Sequence, residues 1–131
     1  MKRAVSIGLK IPDNTAYTAA VALRRLGLGV ERVERSEIWF FNDAGNADAL
    51  LDRIKADESI FNPNKHVVTL LDAASPRNGE VWIEPIDPLG GGPVATAWRL
   101  FDRLDAPFDP GSLRAAVEGL LCNPAIERAI Y

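Results

Sequence analysis

Apolar and small or polar residues alternate at the start of the chain. Val5, Ile7, Leu9 and Ile11 fall on one face, and Ala4, Ser6, Gly8 and Lys10 on the other. A period of two is that of a half-buried strand, and Pro12 ends it. Asp13, Asn14 and Thr15 then offer side-chain acceptors to free helix amides, and Ala16, Ala19, Ala20, Leu23 and Leu26 recur at helical spacing. Gly27 suits the left-handed C-terminal cap of that helix. Val30 and Val33, leading into Glu37-Ile38-Trp39-Phe40-Phe41, predict one broken strand or a tight hairpin. Asn42 to Asn46 carries turn chemistry, and Ala47, Leu50, Leu51 and Ile54 form the apolar stripe of a second helix. Val67 to Leu71 is apolar on both faces and reads as an interior strand. Strand, helix, two strands, helix, strand is the order of a ferredoxin-like domain, with two helices on one face of an antiparallel sheet. The other face is expected to lie open, and adjacent Trp39, Phe40 and Phe41 must send one ring toward it. A second copy, a partner or a ligand would then cover it.

Ala73 to Gly79, with Ser, Pro, Arg, Asn and Gly, reads as a linker. Beyond it, Val81, Ile83 and Pro85 alternate with Trp82, Glu84 and Ile86 as a strand, with the proline marking an edge or a strand end. Pro93 to Leu104 reads as a helix with Val94, Ala97, Trp98 and Phe101 on its apolar side, and Ser112 to Leu121 as another with Leu113, Ala116, Val117 and Leu120. The expected fold is therefore α+β: a ferredoxin-like module over residues 1–72, a linker over 73–79, and an abbreviated βααβ-like unit over 80–131 packed on the first. An internal echo supports two units. A helix runs through Asn62-Pro63 into a β-like tail, and a second runs through Asn123-Pro124 into Ile126 and Ala129-Ile130-Tyr131. Proline lacks an amide hydrogen and pushes the residue before it out of the α region, so each Asn-Pro stops a helix.

Composition narrows the class. The chain has 131 residues, 47% hydrophobic and 25% charged, which is ordinary globular composition. Fifteen basic against eighteen acidic residues give a net charge of -3, which argues against nucleic acid or an anionic membrane as the main partner. A single cysteine, Cys122, allows no intrachain disulfide and fits a reducing compartment. The apolar run Ala4 to Leu9 is too short for a signal sequence, and no run reaches membrane-spanning length. A cytoplasmic address is expected.

Candidate chemistry is sparse. Asp87-Pro88-Leu89-Gly90-Gly91-Gly92-Pro93, read as a strand-to-helix turn, could bring backbone amides and a helix N-terminus to an anion at Gly90, Gly91 and Gly92. It lacks the lysine and hydroxyl residue of a P-loop, and a flexible connector is the plainer reading. Arg32 and Arg35, with Arg24 and Arg25, could form a basic patch for a phosphorylated metabolite or an acidic partner. Alternating Glu31, Glu34 and Glu37 suggest cross-strand pairing instead. The lone His66 reads as a loop residue capping backbone groups, and Cys122 as a small core residue. One Cys and one His close no zinc site. Trp39, Phe41 and Trp82 read as core or interface rather than stacking platforms. No metal, cofactor or catalytic constellation is expected.

Several stretches together resemble a family: Leu9-Lys10 before a turn, Leu23-Arg24-Arg25-Leu26-Gly27 closing a helix, Gly29-Val30-Glu31-Arg32-Val33, and the closing Leu120-Leu121-Cys122-Asn123-Pro124-Ala125-Ile126-Glu127. They are similar to PurS, the small subunit of phosphoribosylformylglycinamidine synthase. Family members are single modules of about half this length, and Ser36 stands where a glycine usually follows the second-strand arginine. The resemblance implies a ferredoxin-like fold, dimerisation through the sheets and a non-catalytic bridge between glutaminase and synthetase subunits in purine synthesis. Applied here, it implies a PurS-like interaction subunit, with those subunits or a second copy as partners, in which a duplicated chain makes for itself the sheet pairing that the family makes by dimerising. The alternative is a small-metabolite-binding or enzymatic ferredoxin-like protein with its ligand near Gly90 to Gly92.

Overall fold

The computed structural model describes residues 2–42, 45–88 and 90–131. In chain order it contains strand β1 (Lys2–Leu9), helix α1 (Asn14–Arg25), strand β2 (Arg32–Asn42), helix α2 (Ala47–Lys55), and strands β3 (His66–Leu70), β4 (Glu80–Pro85) and β5 (Ala95–Phe101). Helix α3 (Pro110–Ala116), a π-helical turn (Val117–Leu121) and strand β6 (Glu127–Ile130) complete it. The fold is α+β: six strands form one antiparallel sheet in the order β3-β1-β2-β5-β4-β6. None of the described helices is long and apolar enough to cross a membrane.

Local chemistry sets the helix ends. Asp13, Asn46 and Asp109 are extended N-caps whose side chains accept amide hydrogens from Ala16, Ala49 and Ser112. Gly27, at φ +89°, turns the chain out of α1. The two Asn-Pro turns share one hydrogen-bond pattern. The Asn62 carbonyl accepts from the Lys65 and His66 amides, and the Asn123 carbonyl from those of Ile126 and Glu127. Each asparagine side chain also accepts from the amide two residues on. Each asparagine amide donates to the side chain four residues on, His66 Nδ1 at 2.9 Å in one case and Glu127 Oε1 at 2.9 Å in the other. Both turns deliver the chain into an edge strand beside the middle strand of its half, β3 beside β1 and β6 beside β4.

The register sorts the side chains into two faces. Val5 pairs with Trp39 and Leu70, Arg35 with Trp98, Trp98 with Val81, and Ile83 with Ala129. All of these share a face, because residues two apart on a strand point the same way. That face carries all three helices in two apolar clusters. In one, α2 lays Leu50 and Ile54 on Val5 and Ile7, with Trp39, Phe41, Val68 and Leu70 against them. In the other, Ala19 and Leu23 of α1 and Leu113 and Ala116 of α3 cover Val81, Ile83 and Leu100. Arg35, Glu37 and Thr96 lie between the two along the sheet.

Expectation and structure differ in several places. Val67 to Leu71, expected in the sheet interior, gives β3, an edge strand with Val67 and Thr69 exposed. The broken strand or hairpin expected over Val30 to Phe41 is one continuous strand, β2, so residues 1–72 hold three strands rather than the four a ferredoxin-like domain needs. The helix expected over Pro93 to Leu104 is strand β5. Its Val94, Ala97, Trp98 and Phe101 spacing is outweighed by burial on both faces, with Ala95, Ala97 and Phe101 on one side and Leu100 on the other. The second half is therefore strand, strand, helix, strand, and its central strand β4 is paired on both sides, with Pro85 at its end. Finally, the helix-free face is not left open. The chain must pass from edge strand β3 to β4, four positions away in the sheet, and it crosses that face. Leu71 closes an apolar cluster there with Ala4, Ile38, Trp82, Ala95 and Ala97, and Phe40 and Ile130 pack against it.

Candidate functional site

The segment read as a linker is instead built into the structure. Gly79 sits at φ +71°, and a Cβ there would lie 2.7 Å from Pro107 Cβ and 2.9 Å from the Phe108 nitrogen. Glu80, only 2% exposed, accepts from Arg77 Nη2 at 2.7 Å, from the Arg77 amide at 2.9 Å and from Trp82 Nε1 at 3.2 Å. This buried carboxylate is fully partnered, as burial of a charge requires. It fixes Arg77 over the helix-free face.

At the open edge of β2, next to the crossing segment, lies a cleft of about 470 Å³ lined from both faces of the sheet. Its origin is a mismatch of strand lengths. The pairing of β1 with β2 ends at Gly8↔Ser36, whereas β2 continues against β5 as far as Arg32↔Phe101. Among the described residues, no strand pairs with Arg32 to Arg35 on the β1 side. Ser6, Gly8, Ser36 and Thr69 line the hollow together with Arg77, Arg99 and Glu34, and the apolar Leu9, Ile11, Val33 and Val67 complete its wall. The Ser6 and Ser36 hydroxyls are 2.8 Å apart. At one end, Asp13 both caps α1 and pairs with Arg35, Nε to Oδ2 at 3.1 Å. Burial pushes the Asp13 carboxyl up, but the Arg35 guanidinium and the Ala16 and Thr15 amides outweigh it and hold it below the ordinary carboxylate value.

The residues singled out from the sequence fall in different places. Gly90, Gly91 and Gly92 all have positive φ, between +70° and +77°, and form a hairpin connection from β4 to β5. They line a separate hollow of about 680 Å³ with Lys2, Phe40, Glu84 and Arg128. No helix follows them, so the helix N-terminus that suggested an anion site is not there; Leu89 lies outside the described residues. Arg32 and Arg35, three apart, point to opposite faces. Arg32 pairs with Glu34 at 2.7 Å and with Asp105 at 2.8 Å over the Phe101 ring, and the Asp105 hydrogen bond raises its already high pKa. Trp39 and Phe41 stack 6.0 Å apart beneath α2, whereas Trp82 is buried on the opposite face. These three do not form one surface.

His66 opens β3, with its Nδ1 occupied by the Asn62 amide and its ring tilted on Phe61. Burial raises the Cys122 thiol above its ordinary value, with Glu127 adding to the shift, so the thiolate is disfavoured. Among the described residues, no group of three His, Cys, Asp or Glu side chains could hold a metal ion. Reasoning from the sequence missed Ser6, Gly8, Ser36, Thr69, Arg77 and Arg99. The available signal was a run of small residues interrupting otherwise bulky strands, but that run becomes a cleft only once β1, β2 and β3 are in register. No family model, curated protein or solved structure matches the chain.

Proposed function

We propose that this protein is a PurS-like, non-catalytic interaction subunit that carries two related units in one polypeptide and bridges the glutaminase and synthetase subunits of a purine-pathway amidotransferase. One observation carries the reading: β2 pairs antiparallel with β5 over seven residue pairs, from Arg32↔Phe101 to Ile38↔Ala95. This seam joins β3-β1-β2 to β5-β4-β6, two three-stranded halves in which a central strand is followed in sequence by its inner and then its outer neighbour. A dimer formed through strand edges has that layout, with a local two-fold axis at the seam. The pairing is edge to edge, and it extends a sheet without needing a face-to-face contact. The matched Asn-Pro turns, each leading into the outer strand, support the same reading. Within it, the second unit has replaced the helical α1 connection by the glycine hairpin, and each half is an abbreviated ferredoxin-like module.

The test is reconstitution. The purified chain is mixed with the glutaminase and synthetase subunits from the same organism and resolved by size-exclusion chromatography with light scattering. Co-elution of all three, with glutamine-dependent synthetase activity requiring this chain, is the expected result. Independent elution and full activity without the chain would reject the bridging role.

A further inference from the structure

We infer that the cleft at the open edge of β2, between the β1 exit, the unpaired start of β2 and Arg77, binds a small organic anion, a carboxylate or a phosphate ester. Its volume of about 470 Å³ is in the range of small-molecule sites. Charge within it is uneven. Arg35 is matched by Asp13, Arg77 by Glu80, and Glu34 by Arg32. Arg99 lies between Glu34 of β2 and Glu80 of β4 in the sheet register, but those carboxylates are engaged by Arg32 and Arg77, and among the described residues none makes an ion pair with Arg99. Its guanidinium makes one long bond, 3.4 Å to the Asn78 carbonyl, and lies 5.1 Å from the Phe101 ring centroid. Most of its donor fork is therefore available to an anion, which a guanidinium takes in two-pronged fashion.

The floor adds donors to that cation. Two hydroxyls in a mutual bond use only one of their two protons, so the Ser6–Ser36 pair keeps one for a ligand. Thr69 supplies another hydroxyl at the lining. The β2 backbone at Val33 to Arg35, with no strand beside it on the β1 side, adds main-chain groups at the same place. Gly8 keeps the floor low, and the room above it is real. A Cβ on Gly8 would meet its nearest neighbours, Arg35 O and Ser36 Cβ, at 3.6 Å, an ordinary contact. A ligand would place its anionic group on Arg99 and its polar body across the serines. This site is independent of any partner subunit and is tested without one.

The experiment follows backbone amide NMR shifts of the full chain at constant ionic strength, titrated separately with inorganic phosphate and with succinate. Saturable shifts confined to Ser6, Gly8, Ser36, Thr69 and Arg99 are expected with at least one of the two, and which one saturates identifies the anion class. Arg99→Gln should weaken that binding at least tenfold by removing the charge. Gly8→Val should weaken it comparably by filling the floor with every charge retained, and circular dichroism of both variants reports their folding. Shifts that never saturate, or that survive both substitutions in folded protein, would overturn the site.

Discussion

Gly79 shows how much can depend on one hydrogen atom. At φ +71°, with backbone and Pro107 within 3.0 Å of where a Cβ would be, the position admits no side chain without movement. Gly79→Ala is expected to cost about 3 kcal/mol from left-handed strain and crowding, read as a lower urea midpoint at unchanged slope. Its neighbour Glu80 acts through charge. Glu80→Ala would leave Arg77 and Trp82 Nε1 without their acceptor, at a cost of about 2–3 kcal/mol. Asp13 makes stability depend on pH. Its carboxyl is held below the ordinary value in the folded state, so its contribution is complete above about pH 4 and is lost as pH falls through its folded pKa. Asp13→Asn keeps a competent N-cap but removes the charge. The variant should therefore lose less stability than the parent in acid unfolding below about pH 4, and equal acid sensitivity would refute the assignment.

At the scale of elements, what could be read from the sequence depended on whether a segment's partners are local. β1 and α1 were legible because Pro12, Asp13 and Gly27 mark their ends within the segment itself. The Asn123-Pro124 exit was legible for the same reason, whereas α2 ends at Lys55, well before Asn62, so Asn62-Pro63 shapes the turn into β3 rather than stopping the helix. β5 was not, because Trp98 and Phe101 lie at a spacing that fits both a helix and opposite faces of a strand, and only pairing with β2 and β4 decides between them. The cleft was least legible, since Ser6, Ser36 and Arg99 come from three strands whose register no local signal fixes. The turns offer a test of equivalence. Asn62→Ala and Asn123→Ala each remove one side-chain acceptor from the same hydrogen-bond pattern and should each cost about 1 kcal/mol. Lying at opposite edges of the sheet, the two effects should add in the double variant. A tenfold disparity between them in the unfolding equilibrium would show that the turns are alike only in outline.

For the whole molecule, three tryptophans report on three regions. Trp39 lies in the α2 cluster, Trp98 beside the α1 and α3 cluster, and Trp82 in the cluster of the other face. Because one sheet runs through all of them, chains retaining a single tryptophan, the others changed to phenylalanine, should unfold with coincident fluorescence transitions that also match circular dichroism. Separate midpoints for Trp39 and Trp98 would instead mean two units that open independently. The crossing segment gives this cooperativity a further meaning. Asp72 to Ser75 is exposed, while Leu71 before it and Gly79 after it are buried. A single proteolytic cut there would leave both fragments held by β2 and β5, yet turn a unimolecular fold into a bimolecular one. The tether would then show itself as an effective concentration: the melting temperature of the nicked protein should rise with its concentration, while that of the intact chain stays fixed.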